Sequence, residues 1–599
     1  MRSPPPKPSP IDQMVAQGLQ AHVAGRVAEA RQRYESVLRI AARHPQANHL
    51  MGVLLLQSGA VDAAIPHLSL AAEQRPADAA FRSNLGVALK RLGRLDEAER
   101  EFRAALAVDP RSADALFNLA NLLVGAERWQ DALAPLEAVT ALRPRDIDPW
   151  LELSRVCLNL GMAERAVAAL EHLLREHPGH VGALTNLGVA LGRLGRHAEA
   201  VATLERAREI APDATDVLSN LGSQLQDVDR YADSIAVLEQ CLRIDPNHGN
   251  ALHNLAMSLR AENRGVEALA ASRRAVALLP AQADARTGLG FELLMQGQLV
   301  EGFKEYEWRV RMADFPSPKR TFPLPLWTDQ PLAGLRLLVH DEQGVGDAIQ
   351  FIRYAKLLKQ AGATVFVECN TQLSRLFRSA HHVDGVVPRA TALPDVDAYV
   401  PLLSLPHKLG TTLETIPAHV PYIDAEPALV AQWAARLGPR AGRLRVGLVW
   451  SGNPEFKADR LRSPGLRQLL PLLAVPGVEV YALQKGPGRK DLEAMGTPPG
   501  LIDLGPEIGD FADTAAIMAN LDLVISSCTG PAHLAGALGV ETWVMLPFAP
   551  DWRWMRDRRD SPWYPTVRLF RQPGRDRWPE LAAEVAGALA DAAAPRTET

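Results

Sequence analysis

The sequence predicts a helical repeat array followed by an α/β module, and three observations carry this prediction. From residue 335 onward, apolar runs rich in β-branched residues alternate with helical patterns, which is typical of parallel sheets covered by helices. Between the two parts, the proline-rich residues 314–334 cannot sustain a helix. Before them, prolines recur every 34 residues, at Pro76, Pro110, Pro144, Pro178, Pro212, Pro246 and Pro280.

The repeat period comes with small residues at fixed places in two successive helical patterns. Gly52, Gly86 and Gly188 share one place, and Ala64 and Ala98 share the second. Small side chains let paired helices approach closely, and the proline prevents the second helix from continuing. This pattern resembles the tetratricopeptide family across residues 11–313. We expect about nine helix pairs in a right-handed solenoid with a concave groove, the first and last being atypical.

One place in the repeats is often asparagine, whose carboxamide both donates and accepts hydrogen bonds. A column of such groups can hold the backbone of an extended peptide, which makes a protein or peptide the expected partner of the groove. The column resembles the asparagine ladder of O-GlcNAc transferase, although Leu50, Glu152 and Gly288 interrupt it. The alternative is that these asparagines only support the helix pair. They are Asn84, Asn118, Asn186, Asn220 and Asn254.

Composition and charge indicate a globular chain of several units. The 599 residues are too many for one core, and 47% are hydrophobic and 22% charged. A formal net charge of -4 gives no electrostatic reason to expect nucleic acid as a partner. The N-terminus lacks the apolar core of a signal peptide, and no apolar run approaches the roughly 18 residues of a membrane span. We therefore expect a cytoplasmic protein without integral membrane association.

The four cysteines predict neither a disulfide framework nor a zinc site, because they lie far apart and form no Cys-x-x-Cys pair. A reducing compartment fits this usage, and we expect no metal. They are Cys157, Cys241, Cys369 and Cys528.

The domain boundaries follow from these composition changes, and the second part divides into two Rossmann-like halves. Ligands of open α/β sheets bind beyond the carboxyl ends of the strands, so the cleft between the halves is the expected site. The segments are a disordered N-terminus (1–10), the solenoid (11–313), a connector (314–334), the first half (335–426), a helix and linker (427–442), the second half (443–576), and a C-terminal helix and tail (577–599).

A glycine-bearing turn, Gly344-Val345-Gly346-Asp347, follows the first strand pattern and precedes a helix. Backbone amides and the helix dipole can meet an anion at such a place. The turn is not a Walker motif, because no Gly-Lys-Ser/Thr follows, and Ile349 stands where a dinucleotide fingerprint needs its third glycine. Nucleotide-sugar chemistry is therefore favoured over hydride transfer.

Several separated motifs carry a resemblance that covers nearly all of residues 335–575. They are EQGVGDAIQFIRY (342–354), VGLVWSGNPEFKADRLRS (446–463), ALQKGP (482–487), SSCTGPAHLAGALG (526–539) and PFAPDWRWMRDRRDSPWYP (547–565). The module resembles GT-B glycosyltransferases of the bacterial heptosyltransferase-like (glycosyltransferase 9-like) group, and the chain resembles bacterial fusions of tetratricopeptide repeats to that module. The overall architecture is similar to O-GlcNAc transferase. The resemblance implies a nucleotide-sugar donor as substrate, no cofactor, and an inverting, metal-independent transfer.

On the acceptor side, the resemblance implies that Asp347 is the general base. An inverting transfer needs one carboxylate to deprotonate the incoming hydroxyl. The alternative is that Asp347 only caps its helix. Glu342 in the same turn is the rival base, and Gln343, Gly344 and Gly346 complete the expected acceptor-side loop.

On the donor side, the resemblance places Thr529 and Gly530 at the donor-phosphate turn and His533 one helical step later. Gln484 and Lys485 end a strand where a base or ribose can be held. Lys457 and Arg460 are alternatively solvated surface charges, and His533 is alternatively a packed helix histidine. The second polar loop contributes Ser451, Gly452, Asn453, Lys457, Arg460 and Ser463.

Cys528 departs from the family pattern, which has an aspartate that contacts the transferred sugar at this position. A thiol does not accept hydrogen bonds as a carboxylate does, so the donor sugar is not expected to be a heptose, and impaired catalysis stays an alternative. A nucleophilic role for Cys528 is disfavoured, because no His-Asp arrangement is recognisable near it.

Two further segments have competing interpretations. The arginine-rich segment 551–565 contains Trp552, Trp554 and Trp563, and such a mixture can stack sugars and bases or bind RNA. The interpretation we favour is a loop that closes the cleft and packs between domains. Residues 578–595 predict an amphipathic helix, which in GT-B enzymes crosses back to the first half. The sequence thus favours a glycosyltransferase whose repeats recruit a protein acceptor or partner. The alternatives are an inactive scaffold and a glycan-directed transferase docked through its repeats.

Overall fold

The computed structural model describes residues 9–315, 317, 320–440, 442–456 and 458–594. It divides into two compact units, Met1–Ile244 and Asp245–Thr599. Lys457 and most of the predicted disordered N-terminus lie outside the described residues.

The first unit consists of consecutive helix pairs, each pair corresponding to one 34-residue repeat. Packing of the pairs explains the small residues of the pattern. A Cβ added to Gly86 would lie 2.6 Å from the Phe102 ring, and one added to Gly188 would lie 2.5 Å from Leu204. The helices are α1 (Pro10–Val23), α2 (Val27–Ile40), α3 (Pro45–Gln57), α4 (Val61–Gln74), α5 (Ala79–Arg91), α6 (Leu95–Val108), α7 (Ala113–Gly125), α8 (Trp129–Leu142), α9 (Ile147–Asn159), α10 (Ala163–Glu176), α11 (Val181–Arg193), α12 (His197–Ile210), α13 (Thr215–Asp227) and α14 (Tyr231–Ile244).

The second unit begins with two more helix pairs of the same kind. The repeat prolines fall two residues after the second helix of a pair, as Pro76 does after α4 and Pro280 after α16. A 3₁₀ turn, Glu307–Arg311, follows the last pair. With the first unit, these helices give the nine predicted pairs within the described residues. They are α15 (Gly249–Ala261), α16 (Gly265–Leu278), α17 (Ala283–Met295) and α18 (Leu299–Tyr306).

A four-stranded parallel sheet comes next, with strand order β3-β2-β1-β4. Its central strand is buried along nearly its whole length, as expected of a sheet covered on both faces. The strands are β1 (Arg336–His340), β2 (Thr364–Cys369), β3 (Gly385–Pro388) and β4 (Ala398–Pro401). The helices are α19 (Val345–Phe351), α20 (Ala355–Gln360), α21 (Thr371–Ser374) and α22 (Leu405–Lys408).

A six-stranded parallel sheet follows, with strand order β10-β9-β8-β5-β6-β7. Numbered from its own first strand, this order is 6-5-4-1-2-3, the doubly wound Rossmann arrangement. The strands are β5 (Leu444–Val449), β6 (Val478–Ala482), β7 (Leu501–Asp503), β8 (Leu523–Ser527), β9 (Thr542–Leu546) and β10 (Val567–Arg571). The helices are α23 (Pro427–Leu437), α24 (Asp459–Arg462), α25 (Leu470–Leu473), α26 (Lys490–Met495), α27 (Phe511–Met518), α28 (Gly530–Leu538) and α29 (Trp578–Ala593). The predicted repeat solenoid followed by an α/β module is confirmed.

One apolar core joins the last repeat, the first sheet and the helices α27 and α28. Phe303 of α18 meets Trp552 and Trp563 edge to face, at centroid distances of 5.5 and 6.5 Å. Trp552, Trp554 and Trp563 are at most 1% exposed. The three tryptophans of segment 551–565 are therefore packed, as in the favoured interpretation, while closure of the cleft by this segment stays a prediction.

The C-terminal helix corrects one expectation. Helix α29 forms as predicted, but its apolar face packs on the second sheet, in the core that holds Val446 and Leu466, rather than on the first. Trp578, Leu581 and Val585 recur at helical spacing and form the apolar face of the helix. Because this face covers the second sheet, it is not available to pack on the first half.

The connector is attached to the first sheet rather than free. The Trp327 N–H donates to Tyr399 O at 2.8 Å, and the Tyr399 N–H donates to Pro325 O at 3.0 Å, which adds a bridge beside β4. Among the described residues, no helix is long and apolar enough to cross a membrane.

Candidate functional site

The candidate site lies where the two sheets bring their carboxyl ends together. Each sheet has a switch point where its strand order reverses, between β1 and β4 in the first and between β5 and β8 in the second. The turn after β1 leads into α19, and the turn after β8 leads into α28. A Cβ on Gly346 would lie 3.0 Å from His533 Cδ2 and 3.3 Å from Gly530 Cα. The two helix starts thus touch through glycines, and any larger residue at Gly346 would push them apart.

Asp347 lies in the first turn of α19 and has two partners. Its Oδ2 accepts a 2.8 Å hydrogen bond from the N–H of Gly344, the N-cap residue of the helix. Its Oδ1 accepts from Nη2 of Arg553. The side chain is 17% exposed. Asp347 therefore caps its helix, and because a carboxylate offers about four acceptor positions, it keeps capacity for one more donor.

Arg553 is a site residue that sequence reasoning did not single out. It is 7% exposed, donates from Nε to Gln350 Oε1 at 2.9 Å and from Nη1 to Asp551 Oδ1 at 2.8 Å, and lies 4.3 Å over the Trp552 ring. Burial acts to lower the pKa of Arg553, but the Asp347 and Asp551 carboxylates outweigh it and raise that pKa overall. The sequence feature that could have identified Arg553 is its position between Trp552 and Trp554, because an arginine within a buried aromatic segment is buried with it.

Glu342, the expected rival base, is 4% exposed and forms a buried ion pair with Arg309. Arg309 Nε donates to Glu342 Oε1 at 3.1 Å. Burial raises the pKa of Glu342, against the attraction of Arg309. Next to it, Gln343 Nε2 donates to the Tyr306 hydroxyl at 3.2 Å. Both side chains therefore attach the turn to the end of the last repeat, and the Glu342 carboxylate is engaged by Arg309.

Thr529 is the N-cap residue of α28 and is 6% exposed. His533, one helical step later, is packed: its Nδ1 lies 2.9 Å from the Tyr564 hydroxyl, and its ring stacks on Trp554 at 5.2 Å. Burial, with the charges of nearby arginines, holds the pKa of His533 well below its ordinary value. The ring is therefore neutral, which suits the packed-histidine interpretation.

The polar loop after β5 is held by a small network that includes Arg462, a second residue that sequence reasoning missed. The Gly452 N–H donates to Ser463 Oγ at 3.0 Å, and that hydroxyl donates to Asp459 Oδ2 at 2.9 Å. Arg462 Nε donates to Asp459 Oδ1 at 2.9 Å, while its Nη1 donates to Cys528 O at 3.4 Å. Arg462 thus brings a cation to the turn that starts α28, and its presence in the matched motif was the available signal.

Two further residues of this loop are exposed. Arg460 is exposed, and so is Asn453, whose Oδ1 accepts from the Glu455 N–H at 3.2 Å. Lys457 lies outside the described residues.

Gln484 and Lys485 are engaged with the backbone. Gln484 is 3% exposed, and its Oε1 accepts from the N–H groups of Trp450 and Ser451 at 3.1 and 3.0 Å. Lys485 Nζ donates to Gly509 O at 3.1 Å and to Ile508 O. Gln484 shapes the loop that contains Ser451, so in this structure it positions a candidate binding loop.

Cys528 is 6% exposed, and burial raises the pKa of its thiol to about 12. The thiol is therefore protonated at neutral pH, and it lacks the thiolate that a nucleophile needs. The structure thus gives a second reason to disfavour a nucleophilic role for Cys528.

The repeat asparagines are half-buried on the first helices of their pairs. Asn84 Nδ2 donates to His49 Nε2 at 2.8 Å, and Asn220 Nδ2 donates to Asp216 O at 2.9 Å. These two contacts are internal to the first unit and suit the supporting role. Asn118 and Asn186 occupy the same place in that unit, and Asn254 occupies it in the second. Across the part of the chain that the structure describes, no group of three or more His, Cys, Asp and Glu side chains could hold a metal.

Comparisons with known families and proteins agree with the repeat architecture. Three tetratricopeptide repeat models match, the first at residues 83–147 and 151–215, the second at 23–86 and 123–178, and the third at 215–248. The first 300 or so residues form a tetratricopeptide array. The chain is also similar to the protein FlbA of Caulobacter vibrioides, with 30% identity over 335 residues, which cover 50% of this chain and 54% of that protein. The chain thus spans about half the length of this curated relative.

Two solved structures are similar to part of the tetratricopeptide array. YrrB, described as a tetratricopeptide protein with an unusual peptide-binding site, is 22% identical, with a TM-score of 0.29 over 31% of this chain and 96% of that one. A tetratricopeptide protein from Thermus thermophilus is 24% identical, with a TM-score of 0.25 over 30% of this chain and 98% of that one.

Proposed function

We propose that this protein is a GT-B glycosyltransferase that moves a sugar from a nucleotide-sugar donor to an acceptor hydroxyl. One observation carries the proposal: two parallel sheets meet at their carboxyl ends through Gly346 and Gly530, with Asp347 on one side and Arg462 on the other. A cleft between two Rossmann-like halves is the general place for a nucleotide ligand. The motif resemblance to the heptosyltransferase-like group supplies the reaction type.

In the proposed reaction, the acceptor hydroxyl approaches the free acceptor positions of Asp347. Asp347 takes the hydroxyl proton while the acceptor oxygen bonds to the anomeric carbon, and the bond from that carbon to the donor phosphate oxygen breaks. Arg553 and the Gly344 N–H hold the carboxylate during this step. The configuration at the anomeric carbon inverts, because attack and departure take place on opposite faces.

The leaving nucleotide gains negative charge as that bond breaks. The start of α28 offers the Gly530 N–H and the positive end of the helix dipole, and Arg462 adds a cation beside Cys528. Preorganised donors of this kind need no metal ion, so we propose a metal-independent transfer. The protonated thiol of Cys528 replaces a sugar-contacting aspartate, which makes a donor sugar other than a heptose part of the proposal.

We further propose that the tetratricopeptide array recruits the protein acceptor or a partner. Repeat solenoids present extended surfaces suited to peptides and proteins. The four cysteines are unpaired and buried, which supports action in a reducing compartment such as the cytoplasm.

The test is a thermal-shift screen of the full chain against UDP-, GDP-, ADP- and CMP-sugars. A donor at a hundred times its dissociation constant adds about 2.7 kcal/mol to stability, which a melting curve resolves. Stabilisation by one nucleotide class supports the proposal. Failure of every nucleotide sugar to stabilise the protein would refute it.

A second candidate is a scaffold whose α/β module has lost catalysis. The engagement of Gln484 and Lys485 with the backbone favours it, together with the thiol of Cys528 in place of a carboxylate. A scaffold predicts that partner binding survives in a protein that no nucleotide sugar stabilises. The same screen therefore separates the two candidates.

A further inference from the structure

A cavity of about 230 Å³ lies among the loops and helices of the first half, and five of the eight residues that line it have nitrogen-bearing side chains. This volume is below the roughly 300–1,000 Å³ of pockets that take drug-sized ligands. None of the lining residues within the described chain carries a carboxylate. The lining consists of Arg353, Lys356, His381, His382, His419 and Tyr422, with two prolines.

Arg353 supplies a fixed positive charge to one wall of this cavity. It is 2% exposed and donates from Nε to Gln350 O at 2.7 Å, from Nη2 to the Tyr422 hydroxyl at 2.9 Å, and from Nη1 to Trp563 O. Its partners are two carbonyls and a hydroxyl, so no carboxylate neutralises its charge. The cavity therefore has a positive potential before any ligand enters.

Lys356 supplies free donors. It is half-buried on α20, and within the described residues its ammonium has no recorded hydrogen bond or ion pair. Lys359, three residues further along the same helix, is different: its ammonium is paired with Asp384 at 2.7 Å. An unpaired ammonium beside a buried guanidinium favours an anion as the occupant.

The three histidines extend this preference. A 2.7 Å contact joins His381 Nε2 to Asp424 Oδ2, so that nitrogen is the donor, and His419 Nδ1 donates to Val420 O at 3.0 Å. The other ring nitrogen of His381 and of His419 takes no part in these two contacts, and in the neutral ring it can accept a hydrogen bond from a P–OH group. The three rings do not form a metal-holding group in the described chain, and a cation would also meet Lys356 and Arg353.

We infer that this cavity binds a small phosphorylated ligand, orthophosphate or the phosphate group of a small phosphate monoester, through Lys356 and the histidines around it. A doubly charged phosphate matches the two positive charges, and the cavity has room for a phosphate group or a small phosphate monoester. A nucleotide sugar is too large for this cavity, so the inference does not depend on the proposed donor site. The two sites are nevertheless joined by contacts, since Arg353 lies 4.4 Å from the Tyr564 ring, whose hydroxyl is bonded to His533.

The test is calorimetric titration of the full chain at pH 7 with orthophosphate and, separately, with glucose 6-phosphate. We expect saturable binding of at least one of the two with one site per chain. Binding of orthophosphate alone identifies the free ion as the ligand, and tighter binding of the ester identifies a phosphate monoester. Failure of both to bind would overturn the inference.

Two variants and a control locate the site. Lys356→Ala should weaken binding at least about tenfold, since a hydrogen bond to a charged group contributes about 1.5–3 kcal/mol. Lys359→Ala, on the same helix, should leave affinity unchanged. His382→Asn should also weaken binding, and asparagine tolerates the positive φ of 66° at this position. Equal losses in the Lys356 and Lys359 variants would show diffuse surface attraction and contradict the site.

Discussion

Asp347 and Arg462 lie on opposite sides of the candidate site, and neighbouring groups hold each side chain in place. Asp347 is held by the Gly344 N–H and by Arg553, so its carboxylate has a fixed orientation. Arg462 is held by Asp459, and its second nitrogen reaches the carbonyl of Cys528. Preorganisation of this kind lets a charged group act without first reorganising. The proposed chemistry therefore depends on Asp347 and Arg462 and also on the residues that hold them, Arg553 and Asp459.

Replacing Arg462 with alanine is expected to weaken nucleotide-sugar binding about tenfold or more. The reason is loss of a charge-assisted contact, worth about 1.5–3 kcal/mol, at the turn that starts α28. Titration of the donor that the thermal-shift screen identifies measures the effect. Arg460→Ala is the matched control, because Arg460 is an exposed arginine of the same short helix, α24. A larger loss in the Arg460 variant would contradict the assignment.

At the scale of elements, the helix pairs depend on glycines that let a large side chain from the second helix approach. Gly86→Ala should destabilise the first unit, because its Cβ would lie 2.6 Å from the buried Phe102 ring, and overpacking costs about 1–3 kcal/mol. Gly125→Ala is the control, since nothing lies within 4 Å of that position. Denaturant melts of the two variants measure the difference. Equal stability would refute the packing argument.

The last repeat is fastened to the α/β module by the buried ion pair of Arg309 and Glu342. Glu342→Gln leaves the Arg309 charge without its main partner in the core, and breaking such a pair costs about 3–5 kcal/mol. Glu301→Gln breaks the exposed pair with Arg273 and should cost about 1 kcal/mol or less. Chemical denaturation of the second unit compares the two. Similar costs would show that Glu342 contributes no more than a surface charge.

At the scale of the whole second unit, stability should depend on pH through its buried histidines. Burial lowers the pKa of His253 and of His340 to about 4. Burial also holds the pKa of His533 well below its ordinary value. Below about pH 6.5 the unfolded chain binds protons that the folded chain refuses, so stability falls as pH decreases from 6.5 towards 4. Each histidine contributes up to about 1.4 kcal/mol per pH unit in this window.

A His340→Gln variant isolates this effect from the other titrating groups of the unit. It should show a shallower loss of unfolding free energy than the unaltered protein between pH 6.5 and 4, and the same slope above pH 7. Denaturant titrations at several pH values provide the measurement. An unchanged slope would mean that His340 titrates normally in the folded state.

The repeat array and the two parallel sheets were predictable from the sequence, because period and alternation are local properties of the chain. The partners of the site residues were not. Whether Asp347 meets solvent or Arg553 depends on a contact between residues 206 positions apart, and Gln484 reaches Ser451 across 33. The C-terminal helix could be recognised from the sequence, but the sheet it covers could not. That choice depends on which apolar surface the helix fits, and this is not a local property of the chain.

The central claim is sugar transfer that depends on Asp347, and the direct measurement is incorporation of labelled sugar. Each nucleotide sugar is incubated with an extract of the source cells that lack this protein, to which the unaltered protein, Asp347→Asn or Asp551→Asn is added. Asp551 also pairs with Arg553, so its variant controls for loosening of that arginine. We predict transfer from one donor class by the unaltered protein and a loss of about 10²–10⁴-fold in the Asp347 variant, whose donor-induced melting shift is retained. Transfer by the Asp347 variant at the unaltered rate, or no transfer from any donor, would contradict the account.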